Sequence, residues 1–130
     1  MPCLKISTNV SKEKITEELN LHLCDFIAKM LGKPSGYCAV HIIPDQLMSF
    51  GGTFEPCAQV VLQSIGKLGH EENKRYSQLL SKELESRLSI PADRAYIFFH
   101  DVMHVLLFEK NLFFLNFFLI NQGRKISAWL

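Results

Sequence analysis

The chain has 130 residues, with 14 lysines and arginines against 13 aspartates and glutamates, so its formal net charge is +1. This length predicts one domain, and the even charge balance argues against general nucleic-acid binding, which needs a clustered basic excess. No cationic segment followed by an apolar core opens the sequence. We therefore expect synthesis in the cytoplasm without a secretory signal peptide.

The cysteines and histidines predict neither a disulfide framework nor a metal site. Cys3, Cys24, Cys38 and Cys57 include no C-x-x-C pair, and two of them lie in apolar strand patterns, where a reduced thiol packs as a small hydrophobe. The histidines lack a zinc-binding spacing such as H-E-x-x-H. We therefore interpret the cysteines as reduced and structural, and the histidines as structural or surface residues.

The first half of the chain predicts a strand, a helix and a second strand. Residues 3–7 alternate as a strand, and the polar residues 9–11 offer a helix cap. Gly32 suits the end of that helix, and the aromatic and β-branched run 37–43 predicts the next strand. The helix spacing places one apolar stripe toward the core, made of Leu19, Leu23, Phe26, Ile27, Met30 and Leu31.

The second half repeats the order. Residues 44–56 read as a loop or hairpin arm, 58–65 as a strand and 95–100 as another strand. Glu71-Glu72 opens the helix between the last two strands, with the apolar stripe Tyr76, Leu80, Leu84 and Leu88.

These halves indicate an internal duplication. Sliding one along the other places Leu19 on Tyr76 and Pro34 on Pro91. The predicted fold class is α+β: two β-α-β units, each with parallel strands, form a four-stranded sheet with both helices on one face. The open face and edges of so small a sheet are most simply covered by identical neighbours, so we expect a homo-oligomer.

A set of short motifs runs through both halves: Met1-Pro2, Thr8-Asn9, Gly32-Lys33-Pro34, Ala39-Val40-His41, Pro44-Asp45-Gln46-Leu47-Met48, Phe50-Gly51-Gly52, Glu55-Pro56-Cys57-Ala58, Ser64-Ile65-Gly66-Lys67, and Asp93-Arg94 with Tyr96-Ile97. Together they resemble the macrophage migration inhibitory factor and D-dopachrome tautomerase family, in register from Met1 to about Asp101, and residues 45–52 favour the migration inhibitory factor branch. The resemblance implies a tautomerase-like domain over residues 1–101 and a homotrimer with an active site at each subunit interface.

The resemblance also implies a function. It predicts a cofactor-independent keto-enol tautomerase for small aromatic keto acids, phenylpyruvate-like or dopachrome-like. It further implies a cytokine-like protein, both cytoplasmic and secreted without a signal peptide, with a cell-surface receptor as a partner. The alternative is a non-catalytic, cytokine-like binding protein in which the pocket is vestigial.

Pro2 is the catalytic base that the resemblance implies. Met1 is normally removed before a small residue, which would leave Pro2 with a free secondary amine. An α-amino group ordinarily titrates at about 7.7 to 8.0, and burial or nearby cations favour its neutral form, so it suits proton removal beside a carbonyl. On the dipeptide alone, Pro2 would be an ordinary edge-strand residue.

The resemblance extends to the substrate-binding residues. Lys33 matches a lysine that binds the substrate carboxylate, and the alternative is a simple charge at a helix end. Ile65, with Ser64 before it, matches a pocket segment whose backbone contacts the ligand. Tyr37 and Tyr96 match aromatic positions around the pocket, with Tyr96 expected from the adjacent subunit.

Two positions depart from the family pattern. Phe98 stands where the migration inhibitory factor branch usually has an asparagine that contacts the ligand from the neighbouring subunit. Its ring packs but donates no hydrogen bond, so we expect an altered substrate preference. Val60 removes half of the family's C-x-x-C pair, and Cys57 alone cannot perform intramolecular dithiol chemistry.

The segment 102–130 is a divergent hydrophobic tail with no family position. Glu109 and Lys110 interrupt its apolar run, which argues against a membrane-spanning helix because charges are costly in a bilayer. The open alternatives are packing on the trimer, shallow contact with a membrane surface, and aggregation. Its residue types also suit A- and T-rich codons, so translation of a retained intron is a further hypothesis, which transcript sequencing across Asp101 and Val102 would test.

Overall fold

The computed structural model describes residues 2–102, and the predictions for the tail beyond Val102 lie outside these residues. The chain forms four strands, β1 (Cys3–Thr8), β2 (Ala39–Ile43), β3 (Ala58–Ser64) and β4 (Ala95–Asp101). Helix α1 (Glu17–Leu31) joins β1 to β2, and helix α2 (His70–Leu88) joins β3 to β4. This order confirms the predicted pair of β-α-β units.

The sheet has the strand order β2-β1-β3-β4. Strand β1 runs parallel to β2, and β3 runs parallel to β4, so each unit contributes one parallel pair. The two units join through the antiparallel pair β1 and β3. The predicted four-stranded α+β fold is therefore confirmed, with β2 and β4 as the edges of the sheet.

Both helices pack on the same face of the sheet and enclose one core. Alternate strand residues such as Leu4, Ile6 and Val60 point into it and are buried, as expected from the period of two along a strand. The predicted helix stripes meet them: Leu19, Leu23, Ile27 and Leu31 from α1, and Tyr76, Leu80, Leu84 and Leu88 from α2. Phe26 and Met30 are only partly buried at the edge of this core.

Helix α1 begins later than the sequence pattern predicts, at Glu17 rather than just after Ser11. Ser11 instead caps a short 3-10 turn, and the chain returns to extended geometry at Ile15. Thr16 then provides the true cap, because its Oγ1 accepts a hydrogen bond from the backbone N–H of Leu19 at 3.1 Å. The chain thus has two successive caps, Ser11 for the 3-10 turn and Thr16 for α1.

Strand β2 also begins later than predicted, at Ala39 rather than Tyr37. The N–H of Tyr37 donates to the carbonyl of Pro34 at 3.1 Å, and that of Cys38 donates to Ser35 at 3.0 Å. These bonds close a 3-10 turn over Ser35–Tyr37. Tyr37 is therefore a turn residue, and its predicted strand position was wrong.

No helix among residues 2–102 combines the length and the hydrophobicity that a bilayer crossing needs. Cys3, Cys24, Cys38 and Cys57 are free thiols, and Cys57 is buried.

Replacing the helix cap Thr16 with alanine should lower the free energy of unfolding by about 1 kcal/mol, because the N–H of Leu19 loses its acceptor. Urea denaturation followed by circular dichroism measures the change. Thr53→Ala is the control for an exposed loop bond outside the helices, since the Oγ1 of Thr53 donates to the carbonyl of Phe50 at 3.2 Å. Equal losses in the two variants would show that the cap bond contributes nothing specific.

Candidate active site at the end of the sheet

Pro2 lies buried immediately before β1. Its side chain is among the most completely buried in the described chain, and its carbonyl accepts a hydrogen bond from the N–H of Ala39 at 3.0 Å. Cys3 pairs with Gln63 in the antiparallel β1–β3 ladder, so Pro2 lies beside the end of β3 at Ser64. The start of β1 and the end of β3 therefore meet at this end of the sheet.

Lys33 brings a buried ammonium group to the same end. Gly32 ends α1 in the left-handed conformation, at φ 66°, which glycine adopts without a Cβ clash. The chain then turns so that Lys33 is only 5% exposed and its Nζ donates to the carbonyl of Ile65 at 2.5 Å. Since lysine is rarely buried without a partner, a surface charge at a helix end does not describe Lys33.

Ser64 and Ile65 lie at this end of the sheet, where β3 ends. Both are buried, Ser64 at 0% and Ile65 at 2% exposure. The backbone carbonyl of Ser64 accepts a hydrogen bond from the N–H of Val102 at 3.1 Å. Its Oγ is buried with no hydrogen-bond partner among the described residues.

Three partly buried thiols surround the start of β1 and the end of α1. Burial is the main cause that raises the pKa of the Cys38 thiol, and Cys24 adds to it, while the Lys33 ammonium acts in the opposite direction. Burial likewise raises the pKa of the Cys3 thiol and of the Cys24 thiol. A protonated thiol is a poor nucleophile, so burial makes these three thiols less reactive.

Tyr37 follows the Lys33 segment in the turn that leads to β2, and it is partly exposed. A hollow of about 280 Å³ opens beside Lys33 and is lined by Asp25, Ala28, Lys29, Gly32, Lys33 and Ser35. Neither Pro2 nor Ile65 lines this hollow. It is a surface depression at the end of α1 rather than the whole predicted site.

One chain does not bring Tyr96 and Phe98 to Pro2. Tyr96 pairs with Gln59, which pairs with Ser7 on β1. Ser7 is five residues along the strand from Pro2, which corresponds to about 16 Å. Tyr96 is 60% exposed and Phe98 is 47% exposed. Their predicted place around the pocket therefore requires a second chain.

Asn9, which the sequence pattern offered as part of a helix cap, instead binds the backbone of the 44–57 loop. Its Nδ2 donates to the carbonyls of Phe54 and Glu55 at 3.0 and 3.1 Å. Its Oδ1 accepts from the N–H of Cys57 at 2.9 Å. One side chain thus ties the end of the 44–57 loop to the residue that follows β1.

Arg94 holds the same loop from the other side. Its guanidinium donates to the carbonyls of Phe50, Pro56 and Glu55 at 3.1, 3.1 and 2.9 Å, and it lies 5.5 Å from the centroid of the Phe50 ring. The five donors of a guanidinium allow this number of acceptors. The only signal in the sequence was the motif Asp93-Arg94, which named the residue but not its partners.

The sequence matches a known family over most of its length. The model described as "Macrophage migration inhibitory factor (MIF)" matches residues 1–110. The chain belongs to the macrophage migration inhibitory factor family. The match includes every strand and helix described above, and with them all seven predicted site residues.

Individual members of this family are also similar to the chain in sequence. The migration inhibitory factor of Xenopus tropicalis is 47% identical over 102 residues, which cover 78% of this chain and 89% of the relative. The migration inhibitory factor of Mus musculus is 45% identical over 102 residues, which again cover 78% of this chain and 89% of the relative.

Solved structures of family members share the fold. The migration inhibitory factor of Trichinella spiralis superimposes with a TM-score of 0.74 at 33% identity, covering 76% of this chain and 88% of the other. The homologue from Prochlorococcus marinus gives a TM-score of 0.70 at 33% identity, covering 77% and 88%. The migration inhibitory factor fold is therefore established for residues 2–102.

Proposed function

We propose that this protein is a cofactor-independent keto-enol tautomerase whose general base is the nitrogen of Pro2, freed by removal of Met1. Tautomerase activity is known for the macrophage migration inhibitory factor family. The observation that carries the proposal is the buried ammonium of Lys33, fixed on the carbonyl of Ile65 at the end of the sheet where Pro2 is buried. A base and a cation held together in an apolar setting suit an α-keto acid.

In the proposed reaction, Lys33 binds the carboxylate of a phenylpyruvate-like substrate. An ammonium group has three donors, so it can hold the Ile65 carbonyl and a substrate oxygen at once. The neutral nitrogen of Pro2 removes a proton from the carbon beside the keto group. The electron pair of that C–H bond forms the C=C bond, and the keto oxygen takes up a proton to give the enol. Burial strengthens these charge interactions because water is excluded.

The expected requirement for a carboxylate on the substrate provides the test. We expect purified protein to accelerate tautomerisation of phenylpyruvate well above the buffer rate, measured by the absorbance of the enol. Phenylacetone has the same aryl and keto groups but no carboxylate, so it should react at least about tenfold less efficiently, the usual effect of losing a bond to a charged group. Equal rates on the two compounds would contradict the proposed role of Lys33. A rate of phenylpyruvate tautomerisation no higher than in buffer would contradict tautomerase activity.

We further propose that the active form is a homotrimer, in which Tyr96 and Phe98 reach the Pro2 site of the neighbouring chain. The support is their exposure and their distance from Pro2 within one chain. The two edge strands β2 and β4 also have no second neighbour in the described sheet, and unpaired edges favour association. Light scattering should give three times the 14.9 kDa mass of one chain, and a monomer at active concentrations would contradict a shared site.

A second function, cytokine-like binding to a cell-surface receptor with a vestigial pocket, is favoured by Phe98. This ring is exposed and supplies no hydrogen bond at a position where the family uses one. The corresponding localisation is cytoplasmic with secretion that needs no signal peptide. If binding to receptor-bearing cells is the main function, it should survive Pro2→Gly unchanged while phenylpyruvate turnover stays at the buffer rate in both forms.

A further inference from the structure

Two cysteines lie between helix α1 and the edge strand β2. The side chain of Asn20 on α1 donates to the carbonyl of Val40 at 3.2 Å. One helical turn further on, the Sγ of Cys24 donates to the carbonyl of Cys38 at 3.7 Å. Four residues of a helix rise about 6 Å and two residues of a strand about 7 Å, so these two contacts keep step along both elements. The packing of α1 on β2 therefore holds Cys24 beside Cys38.

The thiol of Cys38 lies on the helix side of the sheet. Cys38 packs against the core together with Val40 and Ile42, as expected when alternate residues of an extended chain share one face. Cys3 alternates with the buried Leu4 and so lies on the opposite face of the sheet. Cys24 is therefore the cysteine that shares this side of the sheet with Cys38.

We propose that Cys24 and Cys38 are a redox pair that a hydroperoxide converts into a disulfide, and that the disulfide lowers turnover at the Pro2 site. Both thiols are partly exposed, so a small oxidant reaches them. A side chain that contacts the backbone of the other cysteine also brings the two Cα atoms near the separation that a disulfide spans, about 4.4 to 6.8 Å.

The oxidation balances with hydrogen peroxide as the oxidant. One thiolate attacks a peroxide oxygen, the O–O bond breaks, and a sulfenic acid and one water molecule form. The sulfur of the second cysteine then attacks the sulfenic sulfur, the S–O bond breaks, and the departing hydroxide takes up the thiol proton as a second water. The two cysteines thus lose two electrons and two protons, and the peroxide is reduced to water.

The effect on turnover rests on the proposed tautomerase function, whereas the disulfide itself does not. The N–H of Ala39 donates to the carbonyl of Pro2 at 3.0 Å, so the preceding residue, Cys38, lies close to the proposed base. The disulfide would also close the segment 24–38, which contains Lys33. When the Sγ of Cys38 turns toward α1, it leaves the carbonyl of residue 34 that accepts from it at 3.5 Å. Small displacements of positioned groups lower catalytic rates strongly.

The surroundings of the two thiols make this oxidation depend on pH. Burial is the main cause that raises the pKa of both, Asp25 on α1 adds to it at Cys24, and Lys33 opposes it at Cys38. Cys3 on β1 adds a smaller contribution at Cys38. Because the thiolate is the attacking species, the disulfide should form slowly at neutral pH and faster as the pH rises.

Treatment of the reduced, full-length protein with hydrogen peroxide at mildly alkaline pH tests the proposal. We expect an intact mass lower by two hydrogen atoms. Trypsin cleaves after Lys29, between the two cysteines, so their peptides should remain linked until dithiothreitol is added. The oxidised protein should show a kcat/KM for phenylpyruvate about tenfold lower than the reduced protein, and dithiothreitol should restore it.

Cys24→Ser should abolish both the linked peptides and the loss of activity, and its serine hydroxyl still offers a donor to the Cys38 carbonyl. If this variant does not fold, as judged by circular dichroism, Cys38→Ser gives the same test. Cys3→Ser is the matched control, because it removes a partly exposed thiol from the other face and should leave the linkage intact.

Absence of the linked peptides in the oxidised protein, or their persistence in Cys24→Ser, would overturn the redox pair. Equal kcat/KM for the oxidised and reduced protein would overturn the effect on the Pro2 site. A reduced protein without any tautomerase activity would instead contradict the proposed function, and the mass measurement would still decide whether the disulfide forms.

Discussion

Pro2→Gly should lower kcat/KM for phenylpyruvate by about a hundredfold or more, within the range expected for loss of a positioned general base. Glycine still provides a terminal amine, but it lacks the buried ring that holds the nitrogen of Pro2 in place. The backbone carbonyl that accepts from Ala39 is retained, so the start of β1 should keep its position. Steady-state kinetics on protein of verified intact mass measures the effect.

Pro91→Gly is the matched control for that experiment. Pro91 precedes the short turn that leads into β4 and is partly buried, so the variant loses the same ring at a position outside the proposed site. We expect a small loss of stability from the added backbone freedom with kcat/KM close to that of the unchanged protein. A similar loss of activity in both variants would show that the Pro2 effect is general destabilisation.

Lys33→Met is expected to reduce kcat/KM for phenylpyruvate by about 10- to 100-fold, mostly through a higher KM. The variant keeps a long apolar side chain but removes the ammonium that would bind the substrate carboxylate. It also removes the donor to the Ile65 carbonyl. That loss destabilises by about 1 to 3 kcal/mol if the carbonyl stays unpaired, so urea denaturation must accompany the kinetics.

Lys29→Met separates the role of Lys33 from that of charge at the end of α1. Lys29 is exposed in the last turn of the same helix, so this variant changes the net charge equally without touching Ile65. It should leave KM for phenylpyruvate nearly unchanged. A comparable rise in KM in both variants would mean that Lys33 attracts the substrate only by long-range charge.

The elements of the fold that depend on local patterns were predictable. The helix stripe from Tyr76 to Leu88 and the strand alternation around Leu4 follow from periodicity alone, and both point to the core. The residues at which α1 and β2 begin were not predictable, because competing caps and 3-10 turns determine where each element starts. Ser11 and Thr16 are both good caps, and only the extended geometry at Ile15 separates them.

The family resemblance named candidate site residues, but their contacts were not predictable. The family resemblance named Lys33 and Ile65, yet the bond between them joins residues far apart in sequence and depends on how α1 ends relative to β3. The same holds for Arg94 and its four loop carbonyls. Whether Phe98 serves the site depends on a neighbouring chain, which the pattern of one chain does not contain.

If catalysis uses the free nitrogen of Pro2, blocking that nitrogen without changing any side chain should remove the activity. Protein that retains Met1 has an amide at this position, and an amide nitrogen is not a base. Its kcat/KM for phenylpyruvate should be at least about a hundredfold lower than that of the processed protein, with the same circular dichroism spectrum and the state of Met1 confirmed by intact mass. Equal kcat/KM for the processed and Met1-retaining forms would contradict the mechanism.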